Sequence, residues 1–545
     1  MKILKPLYVT GALAVSLIGC KSVSTIPVPK GTSNSVNISA KKAALTQLEK
    51  EMWGHADLAT DTIPGMSIAK AYAFLEGKKG VDVVVGVVDS GTDLKHEDLA
   101  ANIWVNTKEI PNNGKDDDKN GYVDDVNGWN FLGPIYKENY ESDRILMNPG
   151  IAEDAVYQEI KAAQDMKVAG AENTKARFTQ MLSAVKMADG VLSKYLNKKD
   201  YTADDVNKIQ SDDASVMQVV GVAKQMYEFG LSSLTQAITE IQRELDKVDA
   251  MLSGDNLKTD YRAPLKDNAQ DFSTRSYGDN NPGHSIKDEA HGSHVAGIIG
   301  AVRNNDKGMN GVANLVKIMA VRVVPDGDEY DKDVALGIRY AVDNGAKVIN
   351  TSFGKAYSPN KEWVYEAIKY AAEKDVLIVN AAGNDGKNID VEKTYPNDSK
   401  DLLTEVSDNV LTIGAMSSNY NEKLPASFSN YGKINVDIFA PGVQVYSATP
   451  ENEYKYYGGT SMAAPATAGV AALVRSHYPK LSASQVKHII MNSGTKIDFD
   501  VLKPGSASRE NPQGVKVPFA DLSVSGRIVN AYNAVKMADR IVNGK

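Results

Sequence analysis

The sequence predicts an α/β protein built on a mostly parallel β-sheet. Short apolar runs rich in β-branched residues alternate along the chain with longer segments of helical periodicity. A strand that is apolar on both faces is typical of a parallel sheet covered by helices on both sides. The predicted strands are residues 83–88, 316–324, 348–351, 376–380 and 410–415, and the helical patterns between them include residues 334–342 and 363–372.

Composition limits the classes of protein that this chain can represent. Its 545 residues suffice for one large domain with an inserted segment, and an apolar fraction of 42% suffices for a large core. The net charge of −8, without a basic stripe, argues against a nucleic-acid partner. The single cysteine, Cys20, excludes a disulfide bond within the chain.

Three separate segments together predict a catalytic triad. Asp89 follows the first predicted strand at its carboxyl end, where open α/β sheets place their sites. His291 and Ser461 each open a predicted helix, and a helix N-terminus offers free backbone N–H groups to developing negative charge. A nucleophilic serine needs a base to take its proton, and the base needs a carboxylate to orient it and to stabilise its cation.

The motifs around these residues resemble those of the subtilases, the subtilisin-like serine peptidases. They read VVVGVVDSG at residues 83–91, HGSHVAG at 291–297 and GGTSMAAP at 458–465. The resemblance implies a subtilisin-like three-layer fold. It also implies a serine endopeptidase that cleaves protein or peptide substrates through an acyl-enzyme and needs no cofactor for catalysis.

The resemblance also assigns an oxyanion hole. Asn384 follows a predicted strand and matches the family's side-chain amide donor, which acts beside the backbone N–H of Ser461. Gly383, which precedes this asparagine, is assigned to substrate binding.

A second binding element follows the strand at residues 348–351. Ser352, Phe353 and Gly354 match the edge that pairs with the substrate backbone and walls the first specificity pocket. Phe353 and Lys355 are this chain's own residues there, and they hint at the shape of that pocket without defining it.

The alternative to a peptidase is an inactive surface protein that binds partners through an inserted helical segment. A further alternative is a processing peptidase dedicated to one envelope protein, in which that segment restricts access. Loss of peptide cleavage in Ser461→Ala distinguishes an enzyme from a binding protein.

The N-terminus predicts a lipoprotein signal peptide at residues 1–20. Lys2 and Lys5 precede a short apolar stretch, which ends in a sequence like a bacterial lipobox before Cys20. The alternative is an ordinary cleaved signal with an incidental cysteine. A lipid on Cys20 would anchor the protein to a membrane without spanning it. Lys21, which is not acidic, favours the outer membrane of the cell envelope, with the side that the protein faces left open.

The remaining organisation follows from composition and periodicity. Residues 21–52 are expected to be a tether too short for a folded prodomain, and residues 53–140 with 271–545 to form the peptidase domain. Residues 141–270 are expected to form an inserted antiparallel α-helical hairpin, because apolar residues recur there in steps of three and four. Its expected role is a lid, a docking arm, a dimerisation surface or a stabilising elaboration.

An acidic loop precedes the insertion and predicts a structural Ca²⁺ site. Asp116, Asp118, Asn120 and Asp124 offer oxygen ligands at alternating positions around a glycine, as calcium loops do. The alternative is a solvated acidic turn.

Overall fold

A computed structural model of the protein describes residue 38 and residues 41–199, 201–228, 231, 233–254 and 259–544. The predicted signal peptide at residues 1–20, Cys20 itself and most of the predicted tether lie outside the described residues.

The secondary structure alternates strands and helices over most of the chain. The strands are β1 Val83–Asp89, β2 Gly128–Asn130, β3 Val316–Arg322, β4 Val348–Thr351, β5 Leu377–Ala381, β6 Val410–Met416, β7 Ile438–Pro441, β8 Val445–Thr449, β9 Glu453–Tyr457, β10 Thr495–Lys496, β11 Asp500–Leu502, β12 Lys516–Pro518 and β13 Arg527–Ile528. The helices are α1 Gln47–Met52, α2 Leu58–Asp61, α3 Ile68–Leu75, α4 Glu141–Met147, α5 Asp154–Leu196, α6 Ala203–Asn207, α7 Ala214–Glu228, α8 Leu234–Ser253, α9 His291–Gly300, α10 Asp331–Asp343, α11 Lys361–Glu373, α12 Thr460–His477, α13 Ala483–Ser493 and α14 Ala531–Asn543.

A nine-stranded sheet organises the fold, in the order β10-β13-β7-β6-β5-β4-β1-β3-β2. Its neighbouring strands run parallel except for β10 and β13, which are antiparallel at one edge. β1 lies between β3 and β4, with Val87 opposite both Ala320 and Asn350. Because parallel strands end on the same side of a sheet, the loops after β1, β4 and β5 meet there.

Helices cover both faces of this sheet. Val85 and Val87 of β1 belong to one apolar core, with α3, α9, α12, α13 and α14. Val88 belongs to a second core, with α10 and α11. This alternation follows from the two-residue period of a strand. The predicted α/β class with three layers and a mostly parallel sheet is therefore confirmed.

The insertion is helical and has an apolar core of its own. Its longest helix, α5, has 43 residues and is therefore about 65 Å long. Val185 and Leu192 of α5 are fully buried against residues of α7 and α8, and Lys175 pairs with Asp249 of α8 at 2.6 Å. In place of the predicted hairpin, the insertion is a unit of three long helices, with the short α6 between α5 and α7. No helix in the described part of the chain is long and apolar enough to cross a bilayer.

Candidate active site

Asp89 and His291 form a hydrogen-bonded pair at the carboxyl edge of the sheet. Asp89 is the last residue of β1 and is 1% exposed. Its Oδ1 lies 2.8 Å from Nδ1 of His291, the first residue of α9, and accepts a second hydrogen bond from the Ser90 N–H at 2.7 Å. Because an ionised carboxylate only accepts hydrogen bonds, Nδ1 carries the proton and Nε2 of the neutral ring remains free to act as a base.

The pKa of His291 is set by two opposing effects. Burial lowers it, since a charged imidazolium loses hydration. The negative charge of Asp89 and the hydrogen bond to it outweigh burial, so that the pKa of His291 lies above its usual 6.5. Asp89 therefore stabilises the imidazolium that forms when His291 takes a proton.

His294, one helical turn after His291, is not a second base. Its Nε2 donates to the carbonyl of Lys455 at 3.0 Å, and its ring stacks on Tyr457 at 4.4 Å between centroids. Burial lowers the pKa of His294 to about 3, so the ring stays neutral.

Ser461 lies in the first turn of the buried helix α12. Its Oγ donates to the backbone carbonyl of Ser352 at 3.0 Å, and the Ser352 hydroxyl donates back to the carbonyl of Ser461 at 3.0 Å. The nucleophile and the segment after β4 are therefore in direct contact. Transfer of the Ser461 proton to His291 requires the hydroxyl to rotate away from this carbonyl. Hydrogen bonds between a nucleophile and its base are often long or poorly aligned in free enzymes, and they tighten when the substrate binds.

Asn384 is exposed and is held in one orientation by Thr460. Its Oδ1 accepts from both the N–H and the hydroxyl of Thr460, at 2.8 and 3.0 Å. The Nδ2 amino group is therefore the end of the amide left to donate to a ligand. The Thr460 hydroxyl also accepts from the Gly383 N–H at 3.0 Å, which ties the loop after β5 to the start of α12. Thr460 is a positioning residue that the sequence analysis missed, although it lies inside the GGTSMAAP motif.

A second missed residue, Asn430, braces the same loop. Its Oδ1 accepts from the N–H groups of Asp385 and Lys387, and its Nδ2 donates to the carbonyl of Ala382. Gly383 has a φ of +100°, and a Cβ there would lie 2.4 Å from Nδ2 of Asn430. Only glycine fits this position, because both the backbone conformation and the space exclude a side chain. No local pattern around Asn430 indicates this role, since its partners are more than 40 positions away.

The predicted substrate wall, Ser352 to Gly354, directly follows β4. Phe353 is half-buried against the core that contains α10 and α11, and Gly354 is exposed. The next residue, Lys355, pairs through its backbone with Tyr395 at 2.8 and 2.9 Å. Its side chain is directed into the protein interior. It is buried against Glu141 at 2.6 Å and Asp331 at 2.8 Å.

The acidic loop gathers a different set of carboxylates from the predicted one. Oxygen atoms of Glu109, Asp118 and Asp125 lie within 4.8 Å of one another. Of the predicted ligands, Asp118 belongs to this group. Asp116 and Asp124 are outside it, and Asn120 contacts it by donating from Nδ2 to Asp125 at 2.9 Å. Asp116 accepts from the N–H groups of residues 120 and 121, Asn120 from that of residue 122, and Asp124 from those of residues 113 and 114.

Several known proteases match part of this chain. The cell wall-associated protease of Bacillus subtilis (strain 168) is 37% identical over 262 residues, which are 47% of this chain and 27% of that protein. Subtilisin DY of Bacillus licheniformis is 38% identical over 208 residues, which are 38% of this chain and 71% of that protein. The solved structure of the prenylagaramide maturation protease PagA is 27% identical, with a TM-score of 0.36, and covers 46% of this chain and 82% of that chain.

The profile of the Subtilase family matches residues 80–515, which is well over half of the chain. That range contains all three predicted triad residues, the loop of Asn384 and the whole helical insertion. The chain is a subtilisin-like serine peptidase and belongs to the Subtilase family.

Proposed function

We propose that this protein is a serine endopeptidase of the cell envelope, which degrades or processes extracytoplasmic proteins and is anchored to the outer membrane by a lipid on Cys20. The observation that carries the catalytic part is the 2.8 Å contact between the buried Asp89 and the ring of His291. Ser461 lies at the same edge of the sheet, because it contacts Ser352, which follows β4, the neighbour of β1. Family membership supports protein or peptide substrates.

The geometry supports acyl transfer in two steps. Ser461 Oγ turns from the Ser352 carbonyl and attacks the scissile carbonyl, while Nε2 of His291 takes its proton. Asp89 stabilises the resulting imidazolium, which then protonates the leaving amine. Water hydrolyses the acyl-enzyme with His291 again as base.

The tetrahedral oxyanion is stabilised by two donors from different elements. They are Nδ2 of Asn384, which Thr460 holds in place, and the backbone N–H of Ser461 at the start of α12. Removing such a side-chain donor costs about 3–4 kcal/mol of transition-state stabilisation in subtilisin-like enzymes.

Labelling with a fluorophosphonate probe tests the activated nucleophile. The wild-type protein should be labelled, and Ser461→Ala and His291→Ala should not, because both the nucleophile and its base are required. Ser427→Ala, which changes an exposed serine outside the site, is the matched control and should be labelled like wild type. A folded wild-type protein that resists the probe would instead favour an inactive binding protein.

The rate of this labelling should fall in acid through the pKa of His291. Protonation removes the base, and Asp89 holds that pKa above 6.5, so the midpoint should lie above pH 6.5. The hydrogen bond between Asp89 and His291 also stabilises the folded state. This contribution is fully present below pH 6.5 and is lost as pH rises through the pKa of His291 in the folded protein. In Asp89→Asn the midpoint should move to lower pH, and the rate should fall by about 10⁴-fold. An unchanged midpoint would contradict this role of Asp89.

We also propose a structural Ca²⁺ at Glu109, Asp118 and Asp125. Burial raises the pKa of Asp125, and three neighbouring carboxylates repel one another unless a cation or a proton joins them. Hard oxygen ligands of this kind suit Ca²⁺. The expected contribution is stability, with no part in the chemical steps.

Addition of Ca²⁺ should therefore raise the melting temperature. At a hundredfold excess over the dissociation constant, binding adds about 2.7 kcal/mol to the free energy of unfolding. Asp125→Asn should lose this Ca²⁺-dependent shift. Asp116→Asn, which changes a carboxylate outside the cluster, should keep it. If Asp116→Asn loses the shift and Asp125→Asn keeps it, Ca²⁺ binds the residues predicted from spacing and not this cluster.

The membrane anchor has a separate test. Wild-type protein expressed with its full N-terminus should partition into the membrane fraction and yield an N-terminal peptide with a lipid mass on Cys20. Cys20→Ser should appear in the soluble fraction, while Ser461→Ala stays with the membrane. An unmodified Cys20 in the mature protein would exclude the anchor.

A further inference from the structure

The helical insertion leaves and rejoins the peptidase domain through residues 138–144 and 259–267, which we call its root. The two segments of the root are joined directly, since Nδ2 of Asn139 donates to the carbonyl of Thr259 at 2.8 Å. Both segments also pack on Tyr330, which precedes α10. One arginine of each segment lies over its ring, at 3.9 and 4.5 Å from the ring centroid. The root is therefore fixed to the start of α10 by contacts from both of its segments.

Glu141, the first residue of α4, joins this root to the chain that follows the predicted substrate wall. Its Oε2 accepts hydrogen bonds from Arg144 and from Nζ of Lys355, both at 2.6 Å. The side chains of Glu141 and Lys355 are only 4% and 2% exposed. Burial alone would raise the pKa of Glu141, but the positive charges of Lys355 and Arg144 outweigh burial and hold that pKa below its usual value. The carboxylate therefore stays ionised, and its pairing with Lys355 is costly to break.

Lys355 connects this buried charge to the predicted substrate wall, Ser352 to Gly354. Its backbone N–H and carbonyl pair with Tyr395 at 2.8 and 2.9 Å, and its side chain runs inward to Glu141 and to Asp331 of α10, the latter at 2.8 Å. The wall ends at the residue directly before Lys355. Because consecutive residues are joined by a rigid peptide unit, a displacement of Lys355 is passed on to the wall.

A second buried carboxylate of the root has the same form in a different place. Asp267 also joins an arginine to a lysine, since it accepts from Arg262 at 2.7 Å and from Lys332 of α10 at 2.5 Å. Its side chain is 1% exposed. The two cations of Asp267 belong to the root and to α10, whereas Glu141 reaches the residue that follows the wall. The two carboxylates therefore fasten the insertion alike but differ in their connection to the substrate wall.

We propose that Glu141 is a positioning residue for substrate binding, which acts through Lys355 on the predicted substrate wall. The insertion thereby completes the substrate-binding segment, while the chemical steps stay with Ser461, His291 and Asp89. This inference rests on the proposed endopeptidase function and goes beyond it, because it gives the root of the insertion a part in holding the substrate.

Steady-state cleavage of a fluorogenic peptide that the wild-type protein cleaves tests this role. Glu141→Gln keeps the shape of the side chain but removes the charge that holds Lys355, so the wall should shift. Because the wall contacts the substrate in the ground state and in the transition state alike, KM should rise about tenfold or more while kcat stays near the wild-type value. Fluorophosphonate labelling should proceed as in the wild type, since it needs the nucleophile and its base.

Two further variants separate positioning from stability. Lys355→Met removes the other end of the same contact and should raise KM to a similar extent. The double variant should raise KM no further, because both residues act through one interaction. Asp267→Asn is the matched control. It should lower the melting temperature about as much as Glu141→Gln does, since each change removes one buried charge between two cations, but it should leave KM unchanged.

The outcomes separate the positioning role from the activity. An unchanged KM in folded Glu141→Gln, an equal rise in Asp267→Asn, or additive rises in the double variant would overturn the positioning role and leave the peptidase intact. If Glu141→Gln does not fold, Lys355→Met decides: a raised KM with normal labelling supports the role, and an unchanged KM overturns it. A wild-type protein that neither labels nor cleaves any peptide would overturn the proposed function and the positioning role with it.

Discussion

The active site depends on the burial of one helix. Every residue of α12 except Ser461 and His477 is buried, and the helix packs on the strands β1, β4, β5, β6 and β7 and on α9. Its six alanines and one glycine allow this close approach. At Gly469, for example, a Cβ would lie 2.5 Å from Cβ of Val312. Since β1, β4, β5 and α9 carry or lead to the other site residues, any shift of α12 would move the nucleophile relative to its base and its oxyanion donor.

Most of the central sheet can be predicted from the sequence. The run of apolar residues that forms a strand and the residues that end it are both local signals. The positions of Asp89, His291 and Ser461 at element ends follow from such signals together with the chemistry that a nucleophile needs. The partners of Lys355 could not be predicted in this way, because Glu141 and Asp331 lie far away in the chain.

The acidic loop and the short hairpin show two further limits of sequence reasoning. Spacing predicts which residues alternate around a turn. It does not predict that Glu109, which precedes the loop, and Asp125 lie beside Asp118 in the folded chain. The sequence does not indicate the β8–β9 hairpin, because β9 is only half-buried and consists of tyrosines and charged residues. Its strands lack the apolar runs that mark the central sheet.

The separate core of the insertion has a consequence for the lifetime of the protein. The buried residues around Leu192 share no member with the clusters that hold the sheet. A unit of this kind can open and close while the rest of the molecule stays folded. In a solution of active peptidase, the opened helices are themselves unfolded polypeptide within reach of neighbouring molecules. The free energy of that local opening, rather than that of the whole chain, would then set the rate of autolysis.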